Sequence, residues 1–294
     1  MSEIARLPSR SMRLPLPVLV LIFVTMLWGV TFIVTRISLH FVGPYGFVGL
    51  RFALAAIAVA LVARPHPASF RRAELIGGIG IGVILFFGYG LQADGLRTVA
   101  SGESAFLTAL YVPMVPVLEW LLFRRRPGVA TFAALILAFA GLVLMSGMTP
   151  AHLELGTGAI LTLAGALATS FEIVLIGRFS AHTDPRRIAL IQLATVSVLS
   201  LAVAGVSGER ILTTAPFALG GIIGLGLMTA FIMVAMNWAQ RSVPANRATL
   251  IYAMEPVWAG VIGAIFGEIF APAQLIGGAM IVGSVVLSQW RNAR

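Results

Sequence analysis

The hydrophobic pattern of the chain consists of long unbroken apolar runs separated by short polar breaks. The runs occupy 17–36, 44–63, 75–93, 101–123, 128–147, 156–177, 187–206, 216–238, 245–267 and 273–290. Each is roughly 18–23 residues, the length a helix needs to cross a hydrocarbon core of ~30 Å. None alternates with a period of two as a barrel strand does. A lipid-exposed segment must also satisfy its backbone internally, so the runs predict helices. The pattern repeats: Pro44 opens one run and Pro185 its counterpart. Leu107-Thr108-Ala109-Leu110-Tyr111-Val112-Pro113 lines up with Leu250-Ile251-Tyr252-Ala253-Met254-Glu255-Pro256, and Gly141 with Gly283. The layout predicts an all-α polytopic membrane protein with ten transmembrane helices, built as two inverted five-helix repeats. A tail covers 1–16, the first repeat 17–147 and the second 155–290. Five is odd, so the second repeat enters the bilayer upside down, as in many secondary transporters.

Composition and charge sharpen this picture. The chain is 59% hydrophobic and 11% charged, and once the runs are removed no soluble domain remains. Arg6, Arg10 and Arg13 precede the first run, but no small-residue cleavage site follows Trp28, so this run reads as a retained anchor. The net charge of +9 comes from arginine alone, since the chain has no lysine. Arginines gather in alternate breaks: Arg64, Arg71 and Arg72, then Arg124, Arg125 and Arg126, then Arg178, Arg186 and Arg187, then Arg241 and Arg247, and finally Arg291 and Arg294. The other breaks hold only Arg36, Arg97 and Arg210. The positive-inside rule then puts both termini in the cytoplasm. Charge divided among short loops excludes a nucleic-acid surface. No phosphate-binding loop is present, so ATP is not a partner, and no metalloprotease motif, cysteine or other pattern calls for a cofactor or metal. His40, His66, His152 and His182 all fall in loops.

Small residues forecast helix contacts. Gly78 and Gly82 share a face of the third run, as do Gly220 and Gly224 of the eighth, and such pairs let backbones approach closely. The fifth and tenth runs are the least polar, so they should pack together at the periphery and leave the cavity to runs 1–4 and 6–9.

Polar groups inside the runs carry the candidate chemistry, since a mid-bilayer charge costs roughly 2.5–3.5 kcal/mol on insertion scales. Arg51, Glu172 and Glu255 lie within runs, while Glu103 and Glu119 lie near the ends of the fourth. Pro256 follows Glu255, and Pro113 and Pro116 interrupt the fourth run; each proline removes a backbone hydrogen bond and serves as a kink or hinge. Glu255 either binds an ammonium group or coupling proton, or pairs with Arg51 or Asn237 to fix packing. Arg51, whose repeat counterpart is Gln192, either holds a substrate carboxylate or serves as a structural partner. Trp28 and Phe32 share a face of the first run, Tyr89 lies on the third, and Tyr111 precedes Pro113. Asn237 ends the eighth run, and Tyr252 and Trp258 flank Glu255 at three residues on either side. The candidate solute contacts are therefore Trp28, Phe32, Arg51, Tyr89, Tyr111, Gln192, Asn237, Tyr252, Glu255 and Trp258.

Leu27-Trp28-Gly29-Val30-Thr31-Phe32, Leu50-Arg51-Phe52, Ala105-Phe106-Leu107-Thr108 through Pro113, Glu255-Pro256-Val257 and Phe266-Gly267-Glu268 together resemble the EamA type of the drug/metabolite transporter superfamily. Within it the chain is most similar to YddG-type exporters of aromatic amino acids. The resemblance covers nearly the whole chain. It implies a monomeric, multi-pass protein of the bacterial inner (plasma) membrane that exports small metabolites by alternating access, with a small-molecule substrate and the lipid bilayer as partners. Amino-acid export, with Arg51 and Glu255 reading the two charged ends, stands beside a proton-coupled drug or organic-cation antiporter. The first run has no carboxylate, the residue that four-helix relatives use for coupling, so a uniporter also fits. A membrane-embedded enzyme would need a catalytic constellation, and the sequence has none.

Overall fold

The computed structural model describes residues 15–65, 70–99, 101–124, 126, 128–146, 156–258, 261 and 271–290. Arg6, Arg10, Arg13, His66, Arg125, His152, Phe266, Gly267, Glu268, Arg291 and Arg294 lie outside them. The described elements are helices: α1 Leu16–Ser38, α2 Pro44–Ala63, α3 Arg72–Gly95, α4 Ser101–Ala109, α5 Tyr111–Phe123, α6 Val129–Ser146 and α7 Thr157–Phe179. A 3-10 turn, Ser180–His182, leads to α8 Pro185–Val206, α9 Pro216–Ala239, α10 Ala245–Tyr252 and α11 Pro272–Trp290. Among the described residues seven helical segments are long and apolar enough to cross a bilayer, and Val129–Leu144 and Pro272–Leu287 are shorter apolar helices.

Proline chemistry sets the boundaries. Pro44, Pro185 and Pro216 each begin a helix, where the missing N–H has no intrahelical partner to lose. Asp184 caps α8 by accepting from the Arg186 and Arg187 amides at 2.8 and 3.4 Å. The fourth run, expected to be one kinked helix, is divided at Leu110. Pro113 cannot donate to the Ala109 carbonyl, and the Leu110 amide instead makes a tight 3.3 Å bond to the Leu107 carbonyl. The ninth run breaks at the matching place. Pro256 cannot reach the Tyr252 carbonyl, α10 stops there, and the chain is helical again from Glu255 to Trp258. Pro116 stays inside α5.

Close approaches fix the relative directions of the helices. A Cβ on Gly141 would lie 2.7 Å from the Gly277 carbonyl, and one on Gly283 would meet Leu137, so α6 and α11 pack antiparallel. These are the fifth and tenth runs, which pack on each other as expected. Gly78 and Gly82 press against Ile191 and Thr195, bringing α3 alongside α8. The Gly220/Gly224 face fails as a contact: both residues are exposed with open space where a Cβ would stand. Gly221 and Gly226 make the contact instead, against Ser38 and the Arg51 carbonyl. One residue along a helix turns its direction by about 100°, and the two contact glycines are five residues apart and meet α1 and α2 separately, so neither the face nor the four-residue spacing holds.

Two glutamates clasp opposite ends of α8, which runs antiparallel to α2 and parallel to α3. Glu74, buried at the start of α3, accepts the Arg71 amide at 2.9 Å and the Asp184 amide at 3.2 Å, and pairs with Arg187 at 3.7 Å. At the far end, Gly208 takes φ +66°, and the Glu209 amide bonds back to the Ala204 carbonyl at 2.9 Å. This glycine-terminated stop of α8 aims the Glu209 carboxylate at the Gly46 amide, 3.0 Å away in the first turn of α2.

Candidate solute-binding site

The two helix breaks face a small cavity of about 40 Å³, room for a few waters. Helical spacing explains its walls. Trp28, Thr31 and Phe32 lie at i, i+3 and i+4 on α1. Gly88, Tyr89 and Gln92 line up on α3, Thr169 and Glu172 on α7, and Thr108 and Tyr111 flank the first break. Glu255 enters just past the second break. Gln92 donates to the Thr108 hydroxyl at 2.9 Å, tying α3 to α4.

Glu172 and Glu255 are only 3% and 8% exposed, and among the described residues neither forms an ion pair. One Glu172 oxygen and the Tyr111 hydroxyl are buried without a hydrogen-bond partner among those residues. Two unpaired carboxylates in one buried cavity carry a large desolvation cost, which a proton or cation between them offsets. The Trp28, Phe32, Tyr89 and Tyr111 rings supply π faces suited to an organic ammonium group. No group of three metal-ligating side chains occurs among the described residues.

Of the residues singled out by sequence, Trp28, Phe32, Tyr89, Tyr111 and Glu255 line this cavity. Arg51 stands behind Tyr89. Its guanidinium carbon is 5.3 Å from the Tyr89 ring centre and 5.8 Å from that of Phe52, its Nε donates to Thr229 at 2.8 Å, and one terminal nitrogen has no partner. Gln192 and Asn237 form a separate buried cluster with Ser180: the Asn237 amide donates to Gln192 at 3.3 Å and to the Met233 carbonyl at 2.8 Å. Tyr252 is fully buried one layer behind Trp28, with ring centres 5.2 Å apart, and its hydroxyl accepts from Gln240 at 2.8 Å. Trp258 packs on the core with its indole nitrogen unpartnered. Pro113 and the buried Pro116 line a separate apolar groove between α5 and α6.

Sequence reasoning left Thr31, Gly88, Gln92, Thr108, Thr169 and Glu172 out of the site. Glu172 had a signal, a carboxylate inside an apolar run, but its distance in sequence from Glu255 hid their shared cavity. The hydroxyls and Gly88 carried no signal apart from their register.

Apolar membrane-length helices around a small buried cavity fit a polytopic membrane protein. The model of the EamA-like transporter family matches the chain twice, over residues 15–147 and 156–290, and the chain belongs to this family. An uncharacterized transporter of Archaeoglobus fulgidus is 28% identical over 278 residues, spanning 92% of this chain and 85% of that protein. A second Archaeoglobus fulgidus transporter is 32% identical over 217 residues, covering 69% of this chain and 76% of its own. The Escherichia coli inner membrane transporter YedA is 28% identical, with 89% and 86% covered. A solved crystal structure shares the fold with a TM-score of 0.75 at 19% identity, over 92% of this chain and 95% of that one.

Proposed function

We propose that this protein is a secondary transporter that exports a small amine-bearing solute by alternating access across a bacterial inner membrane. The observation that carries the reading is the pair of unpaired buried carboxylates, Glu172 and Glu255, inside one aromatic-walled cavity. The ammonium group sits between them, its apolar part lies against Trp28, Phe32, Tyr89 and Tyr111, and a proton replaces it on the return. At about 40 Å³ the cavity is far below the roughly 300–1,000 Å³ of pockets that hold drug-sized ligands, so it widens to load. The reading includes ten spans in two inverted repeats, arginine-rich loops and both termini in the cytoplasm, and a monomer. The antiparallel pairs α2–α8 and α6–α11 support the inversion.

Flux of amines and amino acids into proteoliposomes, with and without a proton gradient, tests it. Glu172→Gln and Glu255→Gln should each cut amine flux at least about tenfold, a loss of ~1.4 kcal/mol or more. Absence of flux for every amine and amino acid overturns it.

A second reading, amino-acid export, is favoured by the unpartnered guanidinium nitrogen of Arg51 behind Tyr89. If Tyr89 swings aside, Arg51 reaches a substrate carboxylate. An amino acid would then be carried in preference to its decarboxylated amine, and Arg51→Ala would abolish that preference.

A further inference from the structure

A second cavity, about 410 Å³, lies at the arginine-rich end of the molecule. Glu119 of α5, Val174, Gly177 and Arg178 of α7, His182 and Ala245 line it. It is stacked on the central cavity along the same two helices. Tyr111 and Glu119 are eight residues apart on α5, about 12 Å of rise, and share a face. Glu172 and Gly177 are five apart on α7, about 7.5 Å.

Tyr252 and Gln240 fill the space between. The Gln240 Oε1 atom lies 3.5 Å from where a Cβ of Gly177 would stand, at the wall of the outer cavity. Its Nε2 holds the Tyr252 hydroxyl, and the Tyr252 ring contacts Trp28, a wall of the central cavity. Tyr252 is the last residue of α10 before the break forced by Pro256, so the ring rides on a hinge. The other half has a matching tie: Gln92 holds the Thr108 hydroxyl in the last turn of α4, just before its own break.

We infer that the outer cavity is the vestibule through which the solute reaches the central site and that Tyr252, latched by Gln240, is the plug between them. The inference rests on the transport reading above. Glu172 and Glu255 receive the ammonium group once the latch opens. The Gln92–Thr108 tie stays closed meanwhile, so one end opens at a time.

The absence of cysteine allows a direct test. Single thiols are introduced by Ala181→Cys at the outer cavity and Thr169→Cys in the central one. Inside-out vesicles expose the arginine-rich end to a membrane-impermeant thiosulfonate reagent. Position 181 should react readily, because it lines the vestibule. Position 169 should be protected from this side until Gln240→Leu or Tyr252→Ala is added, when its rate should rise about tenfold or more. Tyr252→Phe keeps the ring but loses the latch and should give an intermediate rise. A monodisperse elution profile checks that each variant is folded. No labelling of position 181, or equal labelling of position 169 in all backgrounds, overturns the inference. Labelling needs no turnover, so it can fail while flux through Glu172 and Glu255 persists, and the reverse.

Discussion

At the scale of single residues, the charged groups of the bilayer interior divide by whether the structure gives them partners. Arg51 is held: Thr229 accepts from its Nε, and two aromatic rings lie near its guanidinium. Glu172 and Glu255 have no ion-pair partner among the described residues, and in a low-dielectric site a lone charge is where ligand chemistry is found. Thr229→Val should leave the Arg51 Nε donor buried and unmatched, costing about 1–3 kcal/mol. Thermal unfolding in detergent measures the loss, and amine flux at permissive temperature should be unchanged. A large flux defect at full stability would place Arg51 in solute contact. The sequence exposed Arg51 and Glu255 because a charge in an apolar run is conspicuous. It could not show that Tyr89 stands between Arg51 and the cavity, since that depends on how α2 rotates against α3.

At the scale of elements, the prolines and glycines separate what pattern reveals from what packing decides. The matched breaks were legible, because a missing N–H at Pro113 and at Pro256 disrupts the ladder one turn upstream wherever the helix lies. Pro256→Ala restores a donor for the Tyr252 carbonyl and lets α10 run on. It should stabilise the protein by about 1–3 kcal/mol and slow flux several-fold, because the hinge that carries Tyr252 is lost. Faster transport in that variant would refute the hinge. The glycines were legible only in part. Gly78 and Gly82 contact α8, but the equally spaced Gly220 and Gly224 face outward, and nothing in a spacing of four says which face meets protein. Gly141→Leu should therefore separate α6 from α11 and lower the unfolding midpoint markedly, since its side chain would begin 2.7 Å from the Gly277 carbonyl. Gly224→Ala has open space and should be neutral or stabilise by up to about 1 kcal/mol.

At the scale of the whole molecule, the two clasps mark the part that would stay still under the proposed widening of the cavity. Glu74 ties the start of α3 to the start of α8 at one end, and Glu209 ties the end of α8 to the start of α2 at the other. With the glycine contacts of α3 on α8 and of α9 on α2, they brace a four-helix frame. The cavity walls come mostly from outside it, on α1, α4, α5, α7 and the segment after α10; α3 alone belongs to both. The two clasps should differ in strength. Glu74 is 2% exposed, accepts two backbone amides and faces Arg187, whereas Glu209 is half-buried and accepts one amide from α2. Glu74→Ala leaves buried donors unmatched and should cost about 2–4 kcal/mol, and Glu209→Ala about 1 kcal/mol. Because the clasps sit at opposite ends and share no partner, the double variant should show the sum to within about 0.5 kcal/mol in chemical denaturation. A cost well above the sum would mean that the ends are coupled through the frame, which would then have to flex during transport rather than brace it.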